Sequence, residues 1–196
     1  MKNLLILLTI LIALCSAIHK DLNEFGRWKK FHGIFEEEFR QVGSTIEFDI
    51  VNYQYDLSDS YQKKFDDFFI YSKDSLNFID LDTYSLVLES DQSGNLYSSG
   101  SGVDIKVQVV NKKTKNAMTV LFCGTECYPE TALWRNSHWL EIYGFELNEQ
   151  NKFIPTMWKL MTKDMLFSKY QIDKTFEKIP KSYVENERLK VIEFKK

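Results

Sequence analysis

Two aspartates are spaced so that they could carry out hydrolysis. Asp80 and Asp82 stand two positions apart in "NFIDLD", a stretch that is typical of a strand. Side chains at positions i and i+2 of a strand point to the same face. Two carboxyl groups on one face can act as general acid and as base or nucleophile, provided that a cleft encloses them and raises one pKa by burial. A carboxylate-dependent hydrolase is therefore one functional hypothesis.

Other catalytic groups are sparse in the sequence. Ser101 lies in "SSGSG", which resembles a nucleophile elbow but lacks the G-x-S-x-G spacing and leads into no helix, so a flexible loop is expected. His19 and His32 fall in an N-terminal arm, and His138 stands beside a turn, where a surface role is favoured. The sequence has no phosphate-binding glycine loop, dinucleotide fingerprint or EF-hand loop. It predicts no cofactor and no metal site.

Two cysteines, Cys123 and Cys127, are four positions apart in "CGTEC". In an oxidising compartment such a pair favours a structural disulfide, and Gly124 gives the backbone freedom that a small ring needs. Two free thiols remain an alternative. A redox or metal role is also open, although the spacing is one residue longer than the thioredoxin motif and two thiols alone do not complete a metal site.

Aromatic residues crowd the third quarter of the chain, and four of them are candidate binding residues: Trp134, Trp139, Tyr143 and Trp158. If they lie exposed on one face of a sheet, they can stack on a sugar or hold a protein partner. If they lie buried, they are core residues. Their alternation with polar residues favours the core.

The N-terminal segment "MKNLLILLTILIALCSA", residues 1–17, has the three parts of a secretory signal peptide. Lys2 supplies the positive start, an apolar run follows, and small residues end the segment. The run is shorter than the roughly 20 residues that cross a bilayer, which disfavours a permanent anchor. Cleavage after Ala17 would leave Ile18 first. The alternative is a lipoprotein signal with Cys15 lipidated, although Leu14 is bulkier than that pattern prefers.

Composition places the rest of the chain among ordinary globular proteins. Of 196 residues, 44% are hydrophobic and 27% are charged, and the formal net charge is −3. A nucleic-acid-binding protein would carry a basic excess, so that class is excluded. The length fits a single domain at residues 18–196.

The strongest structural signal is period-two alternation in "VDIKVQVV", residues 103–110. A short polar turn joins it to the β-rich run "AMTVLF", residues 117–122, and the two predict a hairpin. Strand-like runs recur along the chain with short turns between them. The sequence therefore predicts a mainly β fold: a single antiparallel meander or curled sheet with one or two short peripheral helices.

The run "YSKDSLNFIDLD…VDIKVQVVNKKTKNAMTVLFCGT…ALWRNSHWLEIYGFEL…NKFIPTMWKLMT" resembles one or two blades of a β-propeller. It is also similar to uncharacterised small exported bacterial β-rich proteins that carry a cysteine-glycine-threonine motif followed by spaced tryptophans. The resemblance covers roughly residues 70–161 and implies a β fold and export. A closed propeller needs at least four blades of about 40–45 residues, which this chain cannot supply.

Together these observations favour an exported protein of the periplasm or extracellular space with a non-enzymatic binding or accessory envelope role. The expected partner is a protein or a carbohydrate, and contact with a membrane is expected only if Cys15 is lipidated. The alternatives are the hydrolase built on Asp80 and Asp82 and an envelope lipoprotein anchored through Cys15.

Overall fold

The computed structural model describes residues 23–47, 52–56, 63–179 and 181–195. The predicted signal segment, residues 1–17 with Cys15, and the expected new N-terminus at Ile18 lie outside the described residues.

One α-helix, α1, spans Glu24–Phe31 near the start of the described chain. The Asn23 side chain caps it by accepting a hydrogen bond of 2.9 Å from the Gly26 amide. Glu24 in the first turn and two lysines in the last turn match the helix dipole. Two shorter helical segments follow: a 3-10 turn, Asp66–Phe68, and a π-turn, Val184–Arg188.

The described residues are mainly β and form thirteen strands. Their bounds are β1 Arg40–Glu47, β2 Asn52–Gln54, β3 Ile70–Tyr71, β4 Asn77–Asp80, β5 Leu86–Ser90, β6 Leu96–Ser101, β7 Ile105–Asn111, β8 Asn116–Cys123, β9 Cys127–Trp134, β10 Trp139–Leu147, β11 Phe153–Met161, β12 Leu166–Gln171 and β13 Glu193–Phe194. The predicted hairpin is confirmed as β7 and β8. Ser101, expected in a loop, instead ends β6.

The strands described here form three sheets. The first sheet has the order β1-β12-β11-β10-β9, and the second sheet has the order β2-β8-β7-β4-β3. The third sheet has the order β13-β6-β5. Pairing is antiparallel except between β13 and β6, which run parallel. Strands β8 and β9 follow each other in the chain but belong to different sheets, so the short connection between them crosses from the second sheet to the first.

The main core lies between the first and second sheets. Alternate residues of β10 and β11 in the first sheet pack against alternate residues of β7 in the second. This core includes Ile142, Trp158, Leu160, Val107 and Val109. Burial of these apolar faces against each other is the dominant stabilising term for such a pair of sheets.

The outer faces of both sheets are also covered. On the first sheet, Tyr143 and Phe145 pack beneath Trp28 of α1. On the second sheet, Phe78 and Val110 pack against Leu88 of the third sheet. The molecule is thus built in four layers: α1, first sheet, second sheet and third sheet.

The mainly β class is confirmed, but the expectation of a single meander or curled sheet is wrong. Alternation along a strand determines which side chains share a face, and it does not determine which strands are neighbours. Central strands here bury both faces, as the run of buried residues in β10 shows. Such strands require a layer on each side, and one curled sheet does not provide both layers.

Candidate functional site

Three of the four predicted aromatic binding residues lie inside the protein. Trp134 and Trp158 belong to the core between the sheets, and Tyr143 is fully buried beneath α1. The Trp134 indole nitrogen donates a hydrogen bond of 2.9 Å to the Ile70 carbonyl. Trp139 is half-buried on the outer face of the first sheet, with the Lys159 ammonium 4.1 Å from its ring centroid. The structure does not bring the four together on one exposed face.

Asp80 is buried and acts as a hydrogen-bond acceptor for its own turn. Its carboxyl accepts hydrogen bonds from the Asp82 and Thr83 amides, both at 3.0 Å. It also accepts from the Tyr55 hydroxyl at 2.8 Å, the Gln108 amide at 3.1 Å and the Thr83 hydroxyl. Burial raises the pKa of the Asp80 carboxyl, and the hydrogen bonds act in the opposite direction.

Asp82 forms a buried ion pair with Arg188. Its two oxygens accept hydrogen bonds of 2.5 and 2.7 Å from the guanidinium of Arg188, in the bidentate arrangement that arginine favours. The same guanidinium donates through Nε to the Glu130 carbonyl at 2.7 Å. Both oxygens of Asp80 and both of Asp82 therefore already accept hydrogen bonds from the protein, which favours a structural role over the acid-base role of a hydrolase.

Glu130, which no sequence motif marks, is the centre of a buried polar network. Its carboxylate accepts hydrogen bonds from the Trp28 indole at 2.9 Å, from His32 Nε2 at 2.7 Å and from the Tyr183 amide at 3.0 Å. The His32 ring thus contacts the Glu130 carboxyl through Nε2. Its Nδ1 is buried without a hydrogen-bond partner. We call Glu24, Trp28, His32, Glu130, Tyr183 and Arg188 the Glu130 network.

A β-bulge aims Glu130 at α1. Tyr143 pairs with Thr131, and the next residue, Gly144, pairs with Pro129, so Glu130 is the extra residue of β9. As a result Glu130 and Thr131 both reach the α1 side, where Thr131 donates a hydrogen bond of 2.9 Å to Glu24. The bulge brings the backbone close to Gly144: a Cβ there would lie 2.0 Å from the Tyr128 carbonyl oxygen.

Two sequence signals could have pointed to this network. Glu24, Trp28 and His32 recur every four residues, which places them on one face of a helix. Gly144 stands alone inside a strand pattern, and such a glycine often marks a bulge or a close backbone approach.

Tyr183 connects the C-terminal segment to α1. Its hydroxyl donates a hydrogen bond of 2.8 Å to Glu24.

Two clefts flank Arg188. One has a volume of about 510 Å³ and lies between α1, β9 and the C-terminal π-turn, with Glu24, Arg27 and Tyr183 among its lining residues. The other has a volume of about 390 Å³, and Asp82 and Val103 line it. In these clefts Arg27 pairs with Glu24, and Arg188 itself pairs with Asp82.

A third cleft opens between the first and second sheets, and we call it the sheet cleft. It has a volume of about 440 Å³, and the buried Trp158 is one of its lining residues. Val42 and Ile46 of β1 line it from the first sheet, and Leu121 and Phe122 of β8 line it from the second. This size and apolar lining are typical of a binding cleft.

Polar groups of the sheet cleft are few. Lys169 forms an ion pair with Glu146, with distances of 2.8 and 3.1 Å to the two carboxylate oxygens. Gln171 adds a hydrogen bond of 2.8 Å to the same carboxylate. Glu126 also lines the cleft; its side chain is exposed and forms no ion pair with the residues that the structure describes. The lining therefore has one unpaired negative charge.

A disulfide between Cys123 and Cys127 borders the sheet cleft. Cys123 ends β8 in the second sheet, and Cys127 begins β9 in the first sheet. The bond thus ties the two sheets together where the chain crosses between them. The predicted disulfide is present, and it is consistent with an exported protein.

Two further properties concern metals and membranes. Within residues 23–47, 52–56, 63–179 and 181–195, no three His, Cys, Asp or Glu side chains group together as metal ligands would. In the same part of the chain, every helix is too short or too polar to span a bilayer.

The comparisons with known proteins leave the function to be inferred from this geometry. No protein-family model, curated protein or solved structure matches the chain.

Proposed function

We propose that this protein is an exported, non-enzymatic binding protein, and that its sheet cleft receives an apolar segment of a protein partner. The observation that carries the proposal is the exposure of two large apolar side chains that line the cleft from the first sheet. Val42 is 41% exposed and Ile46 is 54% exposed. Covering such side chains on binding releases roughly 25 cal/mol for each Å² of apolar surface.

The charge of the cleft lining indicates that the partner segment carries a basic residue. Lys169 is neutralised by Glu146, whereas Glu126 is exposed and unpaired within the described part of the chain. A partner segment that carries a lysine or arginine beside its apolar residues can pair with Glu126 while its apolar side chains enter the cleft. Charge complementarity of this kind adds specificity more than affinity.

Peptide selection from a phage-displayed library, with the purified protein as bait, tests the proposal. We expect enrichment of peptides that combine large apolar residues with a basic residue. Their affinity should fall roughly tenfold for Ile46→Ser, because one half-exposed anchor is lost. Val191→Ser is the matched control, since Val191 is also exposed but does not line the cleft. Equal affinities for both variants, or no enrichment, would contradict the proposal.

Export itself is supported by the predicted signal segment and by the disulfide. Expression of the full chain in a bacterial host, followed by mass spectrometry of the N-terminus, tests it. We expect a mature protein that begins at Ile18. A lipid-modified Cys15 at the N-terminus would support the lipoprotein alternative instead, and a product that keeps Met1 in the cytosol would contradict export.

A further inference from the structure

A second group of side chains, two exposed and two half-buried, lies at one end of the second sheet, and we call it the aromatic shelf. It consists of Tyr53, Tyr84, Lys106 and Phe122. The Lys106 ammonium lies 4.8 Å from the ring centroid of Tyr53 and 4.9 Å from that of Tyr84. The rings of Tyr84 and Phe122 meet edge to face, with centroids 5.9 Å apart.

Strand register assembles the shelf. Lys106 of β7 is directly opposite Phe122 of β8, so their side chains share a face of the second sheet. Tyr53 of β2 joins them from the neighbouring strand, which pairs with β8. Tyr84 comes from the turn between β4 and β5. Side chains from two strands and a turn therefore surround Lys106, which belongs to a third strand.

The shelf has features of a recognition surface rather than of a core. Tyr84 is 50% exposed and Phe122 is 55% exposed. Lys106 has no carboxylate partner among the described residues, so its charge is met only by the faces of two tyrosine rings. The Tyr53 hydroxyl is buried without a hydrogen-bond partner. The shelf thus offers exposed rings beside a lysine that has no carboxylate partner in the described part of the chain.

We propose that the aromatic shelf binds an acidic carbohydrate, namely a chain of uronic acid residues. The apolar C–H face of a pyranose ring packs on Tyr84 and Phe122, as sugar rings pack on aromatic side chains. The sugar carboxylate pairs with the Lys106 ammonium, whose charge no acidic side chain described here satisfies. This ligand site goes beyond the peptide site of the sheet cleft, although Phe122 lines both.

Calorimetric titration with oligogalacturonate, and with the same oligosaccharide after methyl esterification, tests the proposal. The ester keeps the sugar ring and removes the charge. We expect the acidic form to bind, the ester to bind at least tenfold more weakly, and added salt to weaken only the acidic form. Lys106→Gln should reduce the affinity for the acidic form by tenfold or more, which is the size of one lost charge-assisted hydrogen bond. Tyr84→Ala should also reduce this affinity, because the sugar ring loses one of the two aromatic rings on which it packs.

The control is Lys112→Gln. The Lys112 ammonium lies 5.3 Å from the ring centroid of Tyr71, an isolated cation–π pair away from the shelf. This variant should bind like the wild type. An unchanged thermal midpoint in each variant establishes that loss of binding is not loss of folding.

Two results would overturn the proposal: no binding of the acidic form, or equal binding of the acid and its ester. An equal loss in Lys112→Gln would also overturn it, since binding would then follow overall charge. Ile46→Ser separates the two sites. It should leave oligogalacturonate binding unchanged and weaken peptide binding, so each site can fail without the other.

Discussion

The guanidinium of Arg188 bonds both carboxylate oxygens of Asp82, although 106 positions separate the two residues in the sequence. The pair is almost completely buried, with side-chain exposures of 9% and 6%. It joins the C-terminal π-turn to the segment that follows β4. Removing one partner of such a pair leaves the other charge buried without compensation.

Arg188→Leu should therefore lower the free energy of unfolding by about 3 to 5 kcal/mol. Urea denaturation followed by tryptophan fluorescence measures the change. Adding Asp82→Asn to this variant removes the unpaired charge and should restore part of the stability. Arg27→Ala is the control: its ion pair with Glu24 is on the surface, with Arg27 largely exposed, and such pairs contribute about 0 to 1 kcal/mol. Equal losses in both arginine variants would contradict the prediction.

Gly144→Ala should destabilise the protein by about 1 to 3 kcal/mol or more, because a Cβ at Gly144 collides with the backbone of β9. The bulge at Glu130 must then shift, so amides of α1 should also exchange faster with deuterium. Gly124→Ala is the matched control, since a Cβ there makes ordinary contact with the Asp104 side chain at 3.7 Å. A Gly144→Ala variant that keeps wild-type stability and protection in α1 would argue against this prediction.

Replacing Cys123 and Cys127 together by serine should lower the free energy of unfolding by about 2 kcal/mol, the loop-closure entropy of a five-residue ring. Thermal unfolding with and without a reducing agent measures the effect. The reducing agent should lower the midpoint of the wild type and leave the double variant unchanged. A wild-type midpoint that does not respond to reduction would show that the bond adds nothing to stability.

Asp80 should make the protein less stable as the pH rises. Because burial raises the pKa of its carboxyl, the folded chain binds this proton more readily than the unfolded chain does. The contribution of this proton to the free energy of unfolding is present at acid pH, and it is lost as the pH rises through the raised pKa of Asp80 in the folded chain. In urea titrations from about pH 4 to pH 8, the stability of the wild type should fall relative to that of Asp80→Asn.

Asp91 provides a control of opposite sign. Hydrogen bonds from Asn95 lower the pKa of its exposed carboxyl. Its contribution is therefore present above the unfolded-state pKa and is lost as the pH falls. The stability of the wild type relative to Asp91→Asn should change with pH in the direction opposite to that for Asp80→Asn. The same direction for both variants would refute the assignment.

The sequence predicts local features of this fold better than long-range ones. The alternation in residues 103–110 correctly predicts β7, because the face to which each side chain of a strand points follows from the polarity of adjacent residues. The disulfide is also predictable, since Cys123 and Cys127 are near neighbours. The division of the strands among several sheets cannot be predicted in this way. Strands β8 and β9 are consecutive in the chain but belong to different sheets, and alternation does not reveal which strands are neighbours.

The same distinction holds for the candidate sites. The ion pair between Asp82 and Arg188 cannot be predicted from the residues near Asp82 in the sequence. The pairing of Lys106 with Phe122 cannot be predicted without the register of β7 and β8. Local crowding in the sequence favours Trp134, Trp139, Tyr143 and Trp158 as binding residues. The structure exposes other rings, those of Tyr84 and Phe122, because exposure depends on which layers cover a strand.

Glu24 bonds Tyr183 across 159 positions, and β13, which follows the π-turn in the chain, pairs with β6. The ribosome must therefore synthesise the chain as far as Phe194 before its earliest and latest described segments can meet. Contacts of such sequence separation also form slowly. A polypeptide that is exported through a translocation channel, as proposed for this protein, has to remain unfolded until it emerges, and contacts that close late in synthesis suit that requirement.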